Sequence, residues 1–291
     1  MLSKSTLDLE PDFKITANQY KEVILQALNE DLLPDGDVTS AGLIVKTQNS
    51  EFNLVLNESA ILAGVNIFKD VLSVLDKNIS FEGKFKDGDK VDKKNIIANI
   101  SGNTRSVLKG ERTALNFLCH LSGIATVTKR MVDLIKDTGV VLLDTRKTTP
   151  LLRAFEKYAL RMGGAKNHRY NLSEMILIKD NHIANIGSVE KAILKAREYY
   201  GDKYKIEVEI ENLEQLEVAI KMKPDIIMFD NWSVADLEQA VNLVPGDILT
   251  EASGQINPDN VLAYARTGVK YISTSYMVKN AKWIDYSLDA V

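Results

Sequence analysis

The chain has little of the material that several protein classes require. Its 291 residues include one cysteine, Cys119, and three histidines. One cysteine excludes an internal disulfide framework and fits a reducing cytoplasm. So few sulfur and imidazole groups exclude an ordinary structural zinc site. No apolar run approaches the roughly 18 residues that span a bilayer. The opening stretch "MLSKSTLDLEPDFK" lacks the apolar core of a secretory signal, so no export is expected. There is no Walker-type phosphate loop and no Rossmann glycine fingerprint. Net charge is −4 and the isoelectric point about 5.6, which counts against a general nucleic-acid binder.

What the chain does have is ordinary globular material, unevenly charged. Apolar residues make up 45% and charged residues 26%, enough for a sizeable core and two domains. Residues 18–30 carry a helical stripe of Val23, Ile24, Ala27 and Leu28. Residues 51–100 read as short alternating strands, with an Asp-Gly turn in "KDGDK" and a helix around "NIFKDVLSVL". From Thr104 the pattern turns helical, with a break expected at Ser122-Gly123. Six apolar strand cores follow, starting near 140, 175, 205, 225, 247 and 270, with helix-length segments between them. That rhythm predicts βα units and a parallel sheet. Six strands rather than eight predict an α/β fold with an incomplete α/β barrel, preceded by an N-terminal α+β sandwich domain.

The strand ends carry the chemistry. They deliver Arg146 and Lys147, then Lys179, Glu209, Asp230, Ser253 with Gly254, and finally Ser273, Thr274 and Ser275. In parallel α/β folds the site lies at the carboxyl ends of the strands. Any single strand end is polar because it meets solvent. Six in succession, mixing cations, carboxylates and a Ser-Gly loop, point to a site. Between Arg146 and Arg169 the chain holds seven Lys or Arg against one acid, Glu156. Arginine grips carboxylates and phosphates through paired hydrogen bonds, and lysine acts as a point charge. Two carboxylates, Glu209 and Asp230, suit Mg²⁺ shared with a phosphorylated ligand. "EASGQI" offers a small turn whose N–H groups suit a phosphate. Together these residues predict a polyanionic substrate. Lys157 is expected on a solvated helix face, and Glu207 and Glu211 share a strand face with Glu209, so that some of the three read as simple surface charges. Cys119 and His120 read as packed, structural residues.

The stretch "LDTRKTTPLLRAFEKYALRMGGAKNHRYNLSEMILIKDNHI" resembles the quinolinate phosphoribosyltransferase family. "ERTALNFLCHLSGIAT", "VEIENLEQLEVAI", "DIIMFDN", "EASGQINPDNV" and "ALNEDLLPDGDVTS" extend the likeness over nearly the whole chain. The resemblance implies a sandwich domain over residues 1–112, rejoined by residues 277–291, and a barrel domain over 113–276. It implies transfer of phosphoribosyl from phosphoribosyl pyrophosphate to quinolinate with loss of CO₂, with Mg²⁺ as cofactor. It further implies a cytoplasmic homodimer, in some members a hexamer, with no nucleic-acid or membrane partner.

Residue by residue, the resemblance gives Arg146, His168, Arg169 and Lys179 to the two quinolinate carboxylates. Lys147 goes to the phosphate or pyrophosphate side. Glu209 and Asp230 go to ribose hydroxyls and the metal, and Ser253 and Gly254 to the 5′-phosphate. The catalytic set it implies is Lys147, Lys179, Glu209 and Asp230. Arg112 resembles an arginine that reaches into a neighbouring subunit's site. The loop "TSYMVK" departs from the family pattern: Ser275 stands where a glycine is usual, while Lys279 keeps the basic position. Three other readings are a ModD-type relative with a different acceptor base, a Schiff-base aldolase using Lys179, and an anion- or RNA-binding module without activity.

Overall fold

The computed structural model describes residues 17–291, with side chains from Tyr20 onward. The N-terminal stretch read for an export signal lies outside the described residues. Two compact units are present, one over 17–129, 149–164 and 280–291 and the other over 130–148 and 165–279.

In the first unit, α1 (Ala17–Leu32) buries Ile24 and Leu28 from its apolar stripe. Helix α2 (Val38–Leu43) starts at Asp37, whose carboxylate accepts the Ser40 N–H. Strand β1 (Asn49–Leu56) alternates, burying Phe52, Leu54 and Leu56. The short β2 (Ala60–Ile61) leads to α3 (Val65–Leu75). Then come β3 (Ser80–Gly83), β4 (Lys90–Val91) and β5 (Ile96–Asn103). The Asp-Gly turn falls before β4, with Gly88 at φ +92°. The last strand of the chain, β12 (Tyr286–Ala290), lies antiparallel on β1, giving a sheet ordered β12-β1-β5-β3.

Helix α4 (Thr104–Ile135) runs 32 residues without a break at Ser122-Gly123 and carries the chain straight across 112–113. Gly123 serves a different purpose from the helix stop expected of it. A Cβ there would lie 2.1 Å from the Lys282 carbonyl oxygen, so the glycine lets the returning chain pass close to the helix. Ser122 is fully buried and bonded to the Ala63 backbone and the Tyr286 hydroxyl.

The second unit is a six-stranded parallel sheet. It holds β6 (Val141–Leu143), β7 (Ile176–Ile178), β8 (Ile206–Ile210), β9 (Ile226–Asp230), β10 (Leu249–Ser253) and β11 (Tyr271–Ser273). Their order is β6-β11-β10-β9-β8-β7. From β7 to β11 successive strands are neighbours, and the first, β6, pairs with the last, β11, as in an α/β barrel. No closed barrel forms. The sheet is open between β6 and β7, with only a parallel bridge from Leu143 to Lys166 beside the gap.

The connecting helices are α5 (Arg153–Met162), α6 (Asp180–Ile186), α7 (Val189–Tyr200), α8 (Leu213–Met222), α9 (Val234–Val241), α10 (Val261–Ala265) and α11 (Tyr276–Lys279). Of these, α5 belongs to the first unit. Ser188, Asn212 and Ser233 each accept an N–H from the first turn of the helix that follows, as N-cap residues do. Lys157 on α5 corrects the expectation of a solvated face: it is 2% exposed. Its neighbour Glu156 is fully buried, accepts the Thr149 N–H at 2.9 Å and faces His120 Nε2 at 3.0 Å. No helix among the described residues is long and apolar enough to cross a membrane.

Candidate active site

Parallel register brings the ends of β9, β10 and β11 to one level, with Asp230 beside Ser253 and Ser253 beside Ser273. Asp144 to Lys147 continue β6 and Lys179 continues β7. These ends surround a cavity of about 490 Å³. Its lining includes Arg146, Lys147, His168, Arg169, Lys179, Glu209, Asp230, Ser253 and Gly254, all expected from sequence. Arg112, Ser275 and Lys279 are not in that lining. Arg112 is an exposed residue of α4, and Lys279 an exposed residue at the end of α11. The Ser275 carbonyl accepts the Val278 and Lys279 N–H groups and so starts that last turn. The cavity also takes in Asp144, Asn231, Gln255 and Ser273, which no site role had been given.

The cations are held by their neighbours. The buried Asp144 carboxylate accepts the His168 N–H at 2.8 Å and the Asn167 side-chain amide at 2.6 Å, which ties the 167–169 segment to the end of β6. Arg169 donates from Nη1 to the Met175 carbonyl at 2.9 Å, across the open side of the sheet. Burial, and then the nearby Arg146 charge, pull the Arg169 guanidinium below its ordinary pKa. Arg146 itself has a buried Nε with no hydrogen-bond partner among the described residues. A sealed guanidinium donor is costly unless an anion meets it.

The carboxylates sit among these cations. Lys179 Nζ donates to Glu209 Oε2 at 2.6 Å. Burial raises the Glu209 pKa, and the Lys179 bond and charge work against that rise. Asp230 accepts from the Asn231 side chain at 2.6 Å. Of the three glutamates that share a face, Glu207 is fully buried and Glu209 buried, and Glu211 alone is the exposed charge. Two-residue alternation is the same for a face turned to solvent and a face turned into a curved sheet's interior, so the pattern alone does not separate them.

Gly254 marks the β10 loop. It has φ +100°, and a Cβ there would lie 2.3 Å from Asn231 Oδ1. Both the backbone conformation and the close approach require glycine. Gln255 follows at φ +51°. Cys119 is buried, and burial pushes its thiol pKa up, against any nucleophilic role. A larger cavity of about 600 Å³ lies in the first unit, but its only charged linings are Glu30 and Asp31, the wrong sign for a polyanion.

An incomplete parallel α/β barrel with a cation-lined mouth and two carboxylates among the cations defines a class of enzyme that handles anionic substrates at its strand ends. Family descriptions narrow the class. Residues 37–122 match the quinolinate phosphoribosyl transferase N-terminal domain and residues 124–289 match its C-terminal domain. The chain belongs to the quinolinate phosphoribosyl transferase family.

A Bacillus subtilis (strain 168) protein named "Probable nicotinate-nucleotide pyrophosphorylase (carboxylating)" is 42% identical over 271 residues, 93% of each chain. The Mycobacterium leprae (strain TN) nicotinate-nucleotide pyrophosphorylase (carboxylating) is 36% identical, over 92% of this chain and 96% of its own. The crystal structure of NadC from Streptococcus pyogenes superposes with a TM-score of 0.91 at 38% identity, covering 96% of this chain and all of that one.

Proposed function

We propose that this chain transfers the phosphoribosyl group of phosphoribosyl pyrophosphate to quinolinate with loss of CO₂, giving nicotinate mononucleotide and pyrophosphate on the de novo route to NAD. The observation that carries the reading is the buried, unpartnered Arg146 Nε in a cavity shared with Lys147, His168, Arg169 and Lys179. Quinolinate brings two adjacent carboxylates, and the sugar donor brings a phosphate and a pyrophosphate. Family membership supports the same assignment.

In this mechanism Arg146, Arg169 and Lys179, with His168 beneath them, set the positive face on which the two quinolinate carboxylates rest. The clamp holds the pyridine nitrogen in line with the anomeric carbon, so much of the rate comes from positioning. The nitrogen attacks that carbon as the bond to pyrophosphate breaks and its electron pair leaves with pyrophosphate. Lys147, exposed at the rim, meets the leaving charge. Ser253 and the Gly254 turn hold the 5′-phosphate. Glu209 and Asp230 orient the ribose and offset positive charge at the sugar. Lys179 leaves Glu209 for the substrate carboxylate, which frees a Glu209 oxygen. Once the ring nitrogen is quaternised, the carboxylate beside it departs as CO₂, and the carbanion left behind is stabilised by the adjacent positive charge before it takes a proton.

Glu209 and Asp230 suit Mg²⁺, because both present carboxylate oxygens to the same cavity. The ion would supply positive charge to the departing pyrophosphate. The working form on this reading is a cytoplasmic homodimer, alone or within a hexamer, in which Arg112 reaches the partner subunit's site. Lys279 and the Ser275 turn serve as an outer phosphate contact.

The test is turnover with Mg²⁺, phosphoribosyl pyrophosphate and either quinolinate or nicotinic acid. Mononucleotide from quinolinate alone is the expected result. Product from nicotinic acid and none from quinolinate would replace this reading with a different acceptor. The Lys179–Glu209 ion pair weighs against a Schiff-base role for Lys179, since an ion-paired ammonium has no lone pair for a carbonyl.

A further inference from the structure

Two carboxylates in the interior of the parallel sheet take no part in the mechanism above. Glu207 on β8 and Glu251 on β10 are both fully buried, on strands separated by β9. His168 Nε2 lies 3.0 Å from Glu207 Oε2 and 3.7 Å from Glu251 Oε2. Carboxyl groups sealed from water are costly unless they are neutralised or given partners. The cluster therefore has a role that outweighs its cost.

Two roles fit the composition. One histidine and two glutamates, with ligating atoms all within 4.8 Å of one another, resemble the sets that hold divalent transition metals. Alternatively the carboxylates hold the imidazole itself. The other ring nitrogen decides. His168 Nδ1 accepts the Arg169 backbone N–H at 2.8 Å. Burial lowers the ring's pKa and the Glu207 and Glu251 charges raise it, to about 9; the hydrogen bond is the stricter constraint, because an accepting nitrogen carries no proton, and it assigns the ring proton to Nε2. Protonated there, Nε2 has no lone pair for a metal and points at the Glu207 carboxylate 3.0 Å away, with Glu251 packed behind it at 3.7 Å, beyond hydrogen-bond reach.

We propose that Glu207 and Glu251 are positioning residues that fix the His168 ring from inside the sheet and, through Nδ1, fix the backbone that aims Arg169 into the substrate cavity. The segment is then pinned on every side. Asp144 holds the His168 N–H and the Asn167 amide, the ring holds the Arg169 N–H, and Met175 holds the Arg169 guanidinium. Glu251 sits at the same register level as Met228, which lines the cavity, and Met228 in turn pairs with Glu209. The acidic pair thus lies close beneath the substrate face. With both nitrogens turned to protein groups, the ring supports the clamp from below rather than gripping a carboxylate.

The kinetic half of the test rests on the proposed reaction, and the spectroscopic half does not. In wild-type protein carrying ¹⁵N-labelled histidine, the three rings are assigned by His120→Gln and His182→Gln. The expected result is a His168 ring protonated on Nε2, unprotonated on Nδ1, and unmoved by Zn²⁺ alone. A ring protonated on Nδ1 whose Nε2 shifts on adding Zn²⁺ would make the cluster a metal site and overturn the proposal. A ring protonated on both nitrogens would overturn it as well.

In turnover assays, Glu207→Gln and Glu251→Gln are expected to raise KM for quinolinate roughly tenfold, with kcat changed less than about threefold. Unchanged KM in folded variants would contradict positioning. Absence of any turnover by the wild type would instead sink the proposed function and leave the tautomer measurement to stand alone.

Discussion

On β1 of the antiparallel sheet, the side chains turned inward are Phe52, Leu54 and Leu56; on β8 of the parallel sheet they are Glu207 and Glu209 among aliphatic neighbours. The same two-residue alternation builds both. In the first sheet, burial removes apolar surface from water and stabilises the fold, at roughly 2–3 kcal/mol per large side chain. In the second, burial strips water from charges and destabilises it unless partners are supplied. Those partners are the His168 ring for Glu207 and Lys179 for Glu209, while Glu251 keeps its proton up to about pH 8. The antiparallel sheet is spent on stability, and the parallel one on holding a preorganised field for an anion.

The contrast can be broken at several points, from the most damaging change to the least. Arg146→Ala removes the guanidinium whose Nε is buried without a partner and should cut kcat/KM for quinolinate by about a hundredfold or more while leaving the melting temperature within a few degrees. A large drop in melting temperature with kcat/KM unchanged would reverse the roles given to the two sheets. Leu54→Ala should do the opposite. Urea unfolding should show about 3 kcal/mol lost, because a fully buried leucine leaves a cavity, with the kinetic constants of the folded protein unchanged.

A smaller effect concerns pH. Burial, and then the Glu207 charge, push the Glu251 carboxyl up to about 8 from an ordinary 4.5. Between those values the folded chain keeps a proton that the unfolded chain has lost. The contribution is full below pH 4.5 and is lost as pH rises through about 8. Glu251→Gln should flatten that part of the stability profile by about 1 kcal/mol per pH unit. A wild-type profile that matched the variant's would remove Glu251 from the set of buried acids. Glu211→Gln, just past the end of β8 and exposed, should change neither stability nor kinetics beyond about 0.5 kcal/mol.

The parallel strands were legible in the sequence because each one writes an apolar core and then a polar end, and the site is made of those ends. Arg146, Lys179, Asp230 and Ser253 could be placed from that grammar alone. What was not legible depends on what lies across from a residue. Lys157 has the spacing of a solvated helix face and is buried. Glu207 has the spacing of an edge charge and faces the interior. Gly123 has the look of a helix stop and instead makes room for the backbone at Lys282. Gly163 behaves likewise: its φ is ordinary, and a Cβ would lie 2.5 Å from the Ala125 carbonyl oxygen, so of the glycine pair only Gly164, at φ +95°, makes the turn. Lys279 keeps the family's basic position and Ser275 replaces its usual glycine, yet Ser273 and Gln255 line the cavity and neither of those two does.

The central claim is that a cation-lined mouth holds quinolinate so that sugar transfer comes first and CO₂ leaves only from the quaternised ring. Quinolinate labelled in the carboxylate beside the nitrogen tests it directly, incubated with the protein and Mg²⁺, with and without phosphoribosyl pyrophosphate. The account predicts labelled CO₂ only when the sugar donor is present, one equivalent for each pyrophosphate formed. Labelled CO₂ released without the donor, or pyrophosphate formed without CO₂, would contradict it.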